Sequence, residues 1–516
     1  MPDAVPEPAL PYSLRAAYSK WARAIGPSPP ARGTTPLRPG GRIGIIGAGM
    51  AGLYAALLLR GQGHEVTILE ASPGRVGGRI MTHRFSSRPE QYFEAGAMRL
   101  PLMLEHQPVF DLIDFLNTRD GSIELLDYVL CHPQGNRVLV NGARDRHGRV
   151  MTVEYAEAHP EELGFGLPLP VRTARQILDR VISYYVELLK RDFAEGFRAL
   201  IQYDDWSFYS YLTTVCGWSP REIDYVEVMT SQTNQFQASF PEIVMENVDF
   251  AERRWKTVKD GMDRLPAACA RVIGHDRFLM GAHVHALQQH PSGVTVHYTD
   301  GGAGRHAHFD KIIVAVPPAV VRMWHRPRWS PDKERAIRAM NYQPLYKVGL
   351  RFAERFWERG DRPAHGGQSI TDLPSRWVVY PSNGISTTGP GVLLQYAWMT
   401  DAYTWLPQDR DTRVARALYD LQLLHPEVDV HSLFIEAHDV TWSTQWAAGD
   451  AKFLPGQFRE LFTAGQSAES DIHFAGEHLS VHHTWILGAL DSARVACRQI
   501  TGRHLPYLSA ADGVPG

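Results

Sequence analysis

The most legible chemistry in the chain lies in Gly47-Ala48-Gly49-Met50-Ala51-Gly52 and in an acid further on, Glu70. Gly47 would permit a tight turn, Gly49 would let backbone amides approach a pyrophosphate, and Gly52 would let a helix pack closely on a strand. An acid about twenty residues beyond such glycines can accept hydrogen bonds from ribose hydroxyls and repel a 2′-phosphate. A Gly-rich surface turn would show the same letters, so the flanking elements decide. Before the glycines stands RIGII (42–46), a short β-branched run, and after them LYAALLLRGQG, an apolar helical pattern. A second strand is expected over 64–69, ending at Glu70. Strand, glycine turn, helix, strand and acid together predict a dinucleotide site, without yet separating FAD from NAD.

The rest of the chain must position that site. Its 516 residues exceed the size at which one core stops growing, so several domains are expected. With 44% hydrophobic and 21% charged residues the composition is that of a compact globular protein. A net charge of −3 and the lack of a long Lys/Arg run argue against nucleic-acid and anionic-membrane partners. Cys131, Cys216, Cys269 and Cys497 are too scattered for metal-ligand pairs and too few for a disulfide framework, so reduced thiols and no metal are expected. The stretch before Gly40 does not read as a secretory signal, and the most apolar segment, 51–59, is about half a bilayer span. A cytoplasmic protein without a membrane segment is the expectation. An amphipathic helix is predicted over 11–24, a Pro/Gly-rich linker over 27–41, and a helical region over 171–235, where ILDRVISYYVELLKRDF has helical spacing.

Gly74-Arg75-Val76-Gly77-Gly78-Arg79 resembles the second glycine-arginine signature of the flavin amine oxidases, which implies FAD, with Arg79 at its pyrophosphate. Glu94-Ala95-Gly96-Ala97-Met98-Arg99-Leu100-Pro101 is similar to the segment that runs beneath the flavin in L-amino acid oxidases and amino acid monooxygenases. That narrower resemblance puts Met98 against the cofactor and makes Arg99 the anchor of a substrate carboxylate, a task suited to a planar bidentate fork. DGMDRLP (260–266), AHVHAL (282–287) and KIIVAV (311–316) resemble the family's return to the FAD domain, with Val284 clasping adenine through its backbone. In YKVGL (346–350) the resemblance places Lys347 near flavin N5, and in WVVYP (377–381) it gives Tyr380 a supporting role at the carboxylate. Trp442 resembles the tryptophan beside the flavin, and FAGEH (474–478) followed by Trp485-Ile486 resembles the last flavin motif, naming Gly476, Glu477, Trp485 and Ile486 as cofactor contacts.

The side-chain pocket is expected from Met245, Trp377, Trp442, Ala451 and Thr484, while Glu246 and Asp450 are read as solvent-facing acids. Thr484 departs from the family, which often has glycine there; Met245 stands where some secreted members carry a histidine. The implied fold is α/β: a Rossmann-like FAD-binding domain (41–95, 256–330, 456–505), a mixed α+β substrate domain (96–160, 331–455) and a helical domain (161–255), with an N-terminal extension (1–40) and a tail (506–516). The implied activity is oxidation of free L-amino acids by non-covalent FAD and O2, giving a 2-oxo acid, ammonia and hydrogen peroxide. Large apolar and aromatic side chains are favoured, and a homodimer or larger homo-oligomer is expected. Two other outcomes stay open: an amino acid 2-monooxygenase releasing an amide and CO2, and an oxidase specific for Arg or Lys.

Overall fold

The computed structural model describes residues 35–232, 234–251, 253–444 and 448–512. The helix expected over 11–24 lies outside them. Strand β1 (Arg42–Ile46) leads into helix α1 (Met50–Gly61) and back to strand β2 (Glu65–Glu70). Helix α1 is buried from Met50 through Leu59, so it is apolar on every side rather than amphipathic. Further along come α2 (Ala174–Arg191) and α3 (Phe240–Phe250), which bracket three shorter α-helices among the described residues. Helix α2 starts on a capping box between Thr173 and Gln176. Helices therefore run on past 235 to Phe250.

The chain then returns through β3 (Phe278–Met280) and β4 (Lys311–Val314) to the first strands. Strand β4 was expected to reach Val316 but ends at Val314, because Pro317 and Pro318 cannot donate to a ladder and open a short helix instead. After β5 (Leu345–Phe352), β6 (Trp377–Val379) and β7 (Gly391–Trp398), the chain closes with β8 (Ile472–Phe474) and helix α4 (Ile486–Thr501).

Five strands form one parallel sheet in the order β3-β2-β1-β4-β8, with α4 and helix Arg264–Ile273 packed against α1. Its strands come from three distant stretches of sequence, and the glycine turn lies at the C-terminal end of β1, where open α/β sheets take ligands. A second, seven-stranded sheet contains β5, β7 and β6 as neighbours. In its register Lys347 lies opposite Tyr396, and Tyr396 opposite Trp377, so these side chains share one face. A small three-stranded sheet pairs Leu100–Pro101 and Leu125–Tyr128 with Trp255–Val258 and so fixes the backbone beside Arg99.

Candidate active site

Each glycine of the first motif meets a different constraint. Gly47 has φ +103°, and a Cβ there would stand 2.8 Å from Ala315 O. A Cβ on Gly52 would stand 2.0 Å from Gly47 O, which is the close helix-to-strand contact the spacing predicted. At Gly49 a Cβ would meet nothing within 4 Å: the backbone is left bare toward open space, as a pyrophosphate requires. Glu70 is fixed at the end of β2 by the N–H groups of Ala48 (2.7 Å) and Ser72 (2.8 Å). Val284 follows closely, because Ala282 N–H donates to Glu70 O. These residues fit an adenosine diphosphate moiety.

Arg79 joins the first cofactor segment to the last. Its guanidinium donates to Glu477 Oε1 at 2.8 Å and to Gly449 O at 2.7 Å. Burial alone would push the Glu477 carboxyl up, but Arg79 holds it down at about 2, and the N–H groups of Ala451 and Thr484 also point at it. Gly476 N–H is fixed by Ser492 Oγ at 2.9 Å, and Ile486 opens α4 directly after Trp485. Thr484 has φ +71°, a conformation that favours glycine and is uncommon for a β-branched residue. The local backbone therefore explains why glycine suits this position.

Lys347 is 5% exposed and donates to Gly96 O (2.6 Å) and Glu94 O (3.2 Å). Trp442 Nε1 grips the residue between them, donating to Ala95 O at 2.7 Å. The segment before Met98 and Arg99 is thus held from two sides. Burial, reinforced by the nearby Arg99 charge, lowers the Lys347 ammonium to about 7. Burial likewise pushes Glu94 up to about 8, although Met262 N–H and the Thr82 hydroxyl donate to it.

Arg99 is 6% exposed and enclosed by rings: its Cζ lies 4.9 Å from the centroid of Phe250, 5.4 Å from Trp377, 5.6 Å from Trp255 and 5.9 Å from Tyr128. Its hydrogen bond to Gln368 Oε1 is long, 3.4 Å, and among the described residues no carboxylate forms an ion pair with it. A buried guanidinium without an anion is costly unless a ligand supplies one.

The structure does not bring Tyr380 to Arg99. Its hydroxyl is bonded to Ser369 (2.9 Å) and His425 (2.8 Å), and its ring packs in the core with Leu139, Val348 and Leu393. Tyr396 occupies the Arg99 side instead. It is the half-buried member of an otherwise buried run on β7, its ring lies 4.9 Å from Lys347 Nζ, and Arg99 opposes the upward push of burial on its hydroxyl. Trp377, Tyr396 and Trp398 form an aromatic wall with centroids 4.8–5.2 Å apart. Tyr396, Trp398, Tyr128 and Phe250 lie in no recognisable motif; the one signal in the sequence is a tyrosine interrupting the apolar run of β7.

The two acids are not solvent-facing. Asp450 is 9% exposed, receives both hydrogen bonds from the Gln343 amide (2.8 Å), and is pushed up to about 7 by burial. Glu246 is bound by Lys452 at 2.7 Å, beside an ion pair of Glu242 with His483 (2.6 Å). Both lie on segments turned into the interior, Glu246 on α3 and Asp450 on a strand paired to Tyr342–Gln343. Met245, one residue from Glu246, is buried in the largest apolar cluster, and Ala451 is fully buried.

A parallel sheet with a bare glycine turn at the end of its first strand and an acid at the end of the second defines a dinucleotide-binding protein, and Lys347 and Arg99 add two buried cations on other segments. The model of the flavin-containing amine oxidoreductases matches residues 50–501, and the chain belongs to that family. It is 31% identical to a putative L-amino-acid oxidase (YobN) of Bacillus subtilis, over 88% of this chain and 93% of that one. It is also 31% identical to the L-amino-acid oxidase of Gloydius halys, over 88% of each chain. A putative bifunctional amine oxidase of Dictyostelium discoideum is matched at 31% identity, and there the chain spans 45% of the relative's length. The fold is shared with putrescine oxidase bound to putrescine (TM-score 0.67, 20% identity, 90% of this chain and 100% of that one).

Proposed function

We propose that this enzyme oxidises the α-amino group of free L-amino acids with large apolar or aromatic side chains, releasing a 2-oxo acid, ammonia and hydrogen peroxide. The observation that carries the reading is Arg99, a buried guanidinium without an anionic partner among the described residues and faced by aromatic rings. An α-carboxylate supplies the missing charge in bidentate geometry, whereas a simple amine would leave Arg99 unpaired. Tyr396 lies beside that anchor, and Trp377 and Trp398 extend an apolar wall that suits a bulky side chain.

Bound FAD supplies the acceptor for the hydride lost from Cα. The protein contributes orientation, exclusion of water and proton handling. Lys347, lowered to about 7, can hold or give up a proton near neutral pH next to the segment that carries Arg99. Arg79 and the bare Gly49 turn would hold the pyrophosphate end, with Glu70 at the ribose. Trp485 and the amides at the start of α4 would face the flavin ring.

One observation favours a second reading. Asp450 is buried, and its hydrogen bonds come from a neutral amide rather than a cation. It could pair with the terminal charge of L-Arg or L-Lys. Glu246 supports this less, since Lys452 already neutralises it.

An anaerobic screen of flavin bleaching across the twenty L-amino acids and putrescine tests both readings. Fast bleaching by L-Phe, L-Leu and L-Trp supports the first. A tenfold higher kcat/KM for L-Arg or L-Lys, about 1.4 kcal/mol, would establish the second. Bleaching by putrescine alone would overturn both, and in a separate aerobic turnover with catalase present an amide among the products would mark a monooxygenase.

A further inference from the structure

Beyond the rings that enclose Arg99, three buried side chains from three distant segments converge. His106 precedes the helix Gln107–Asn117, Asp249 lies in the last turn of α3, and His482 lies in the stretch before Trp485 and α4. They are 1%, 3% and 3% exposed, and one donor atom from each lies within 4.8 Å of the other two. His106 Nε2 and Asp249 Oδ1 are 3.1 Å apart.

We propose that His106, Asp249 and His482 bind a divalent first-row transition ion, zinc above all, and that this ion ties α3 of the helical insert to the FAD-binding fold. Ligand atoms on a tetrahedral zinc, with bonds of about 2.0–2.2 Å, stand roughly 3.3–3.6 Å from one another. The three donors need to move by a few tenths of an ångström to about one ångström to meet that geometry. Two imidazoles and one carboxylate suit zinc, cobalt or iron(II), whereas calcium and magnesium prefer oxygen donors throughout. A hydrogen-bonded His–Asp pair alone would account for the 3.1 Å contact, but not for a second imidazole brought to the same carboxylate from 233 residues further along the chain. A buried carboxylate is also stabilised by a cation beside it, and an ion held by these groups supplies one.

Placement gives the ion a structural role. The His106 ring meets Trp485 edge-on at 5.2 Å, and Trp485 in turn contacts Phe250 and Trp255, two of the rings around Arg99. An ion here would fix α3 against the last cofactor motif. The scattered cysteines exclude a thiolate site and do not bear on this one.

The test uses the full FAD-loaded chain, prepared without a polyhistidine tag. Metal analysis after dialysis should find about one zinc per chain. Stripping it with a chelator should lower Tm, and zinc should restore it. Cobalt(II) added to the stripped protein should give visible absorption beyond the flavin bands. His482→Ala and Asp249→Asn should each abolish the cobalt signal and the response of Tm to zinc. Absence of stoichiometric metal, with Tm indifferent to chelator and zinc in the unmodified protein, overturns the proposal even if the variants fold poorly. Full retention of the cobalt signal in both variants overturns it too, by placing the ion elsewhere, for instance on the facing pair His297 and His306.

Discussion

At the scale of single residues, the site rests on two cations treated in opposite ways. Arg99 lies in an aromatic enclosure with no carboxylate paired to it among the described residues, whereas Lys347 is driven by burial and by Arg99 itself toward neutrality near pH 7. Arg99→Lys keeps the charge but loses the fork and the stacking. Steady-state kinetics on a good L-amino acid should give a higher KM and a kcat/KM lower by about 2–3 kcal/mol, roughly 30- to 150-fold. Unchanged kinetics would remove Arg99 from the site. For Lys347 the sign follows from the depressed value: the cation prevails below about pH 7 and disappears above it. A positive charge next to the reaction with O2 should favour that step. Reoxidation followed by stopped flow should therefore slow as pH rises through about 7, and Lys347→Met should be slow and flat across the same range while anaerobic reduction changes less. Equal slowing of both half-reactions would leave Lys347 a structural residue. Arg99 and Lys347 could both be picked out from local motifs because each lies within a short recognisable string; Tyr396 could not, since its neighbours Lys347 and Trp377 come from other strands.

At the scale of elements, strand register decides which face a residue serves. Tyr380 sits just beyond β6, and its hydroxyl turns into the core toward Ser369 and His425, while Tyr396 on β7 turns to the Arg99 side. Period two makes this an all-or-nothing choice, and no reading of WVVYP alone reveals it. The glycine motif escaped the difficulty because turn, strand and helix are contiguous there. The two tyrosines should consequently give opposite phenotypes. Tyr380→Phe removes the buried hydroxyl that bonds Ser369 Oγ and His425 Nε2, so it should lose about 1–3 kcal/mol of stability in denaturant titrations while KM stays put. Tyr396→Phe should raise KM for L-amino acids and leave the denaturation midpoint nearly unchanged. The reverse pattern would return the anchoring role to Tyr380.

At the scale of the whole molecule, the proposed cofactor site draws on Gly47–Arg79, Glu94–Arg99, the return through Val284, and the closing motif at Gly476–Ile486. The motifs themselves were legible; that three distant stretches share one parallel sheet could be anticipated only through resemblance, since the order β3-β2-β1-β4-β8 depends on long-range pairing. Because the Arg79–Glu477 bridge and the Trp442–Ala95 bond join segments hundreds of residues apart, holding FAD and holding the fold should be one cooperative event. Ligand binding to the folded state alone adds about 2.7 kcal/mol at a hundredfold excess over Kd, so apoprotein should show a lower Tm that climbs with added FAD. No covalent tether should contribute. Among the cysteines, Cys269 is pushed up to about 12 by burial, Cys497 is buried and directed at Ala55 O, and the sequence from Phe474 to Ile486 contains none, so a thiolate suited to attacking the flavin is missing there. Acid or heat precipitation should therefore leave all the yellow colour in the supernatant as intact FAD. Flavin that stays with the pellet, or a Tm indifferent to added FAD, would mean that the cofactor is attached or that it does not help to close the structure.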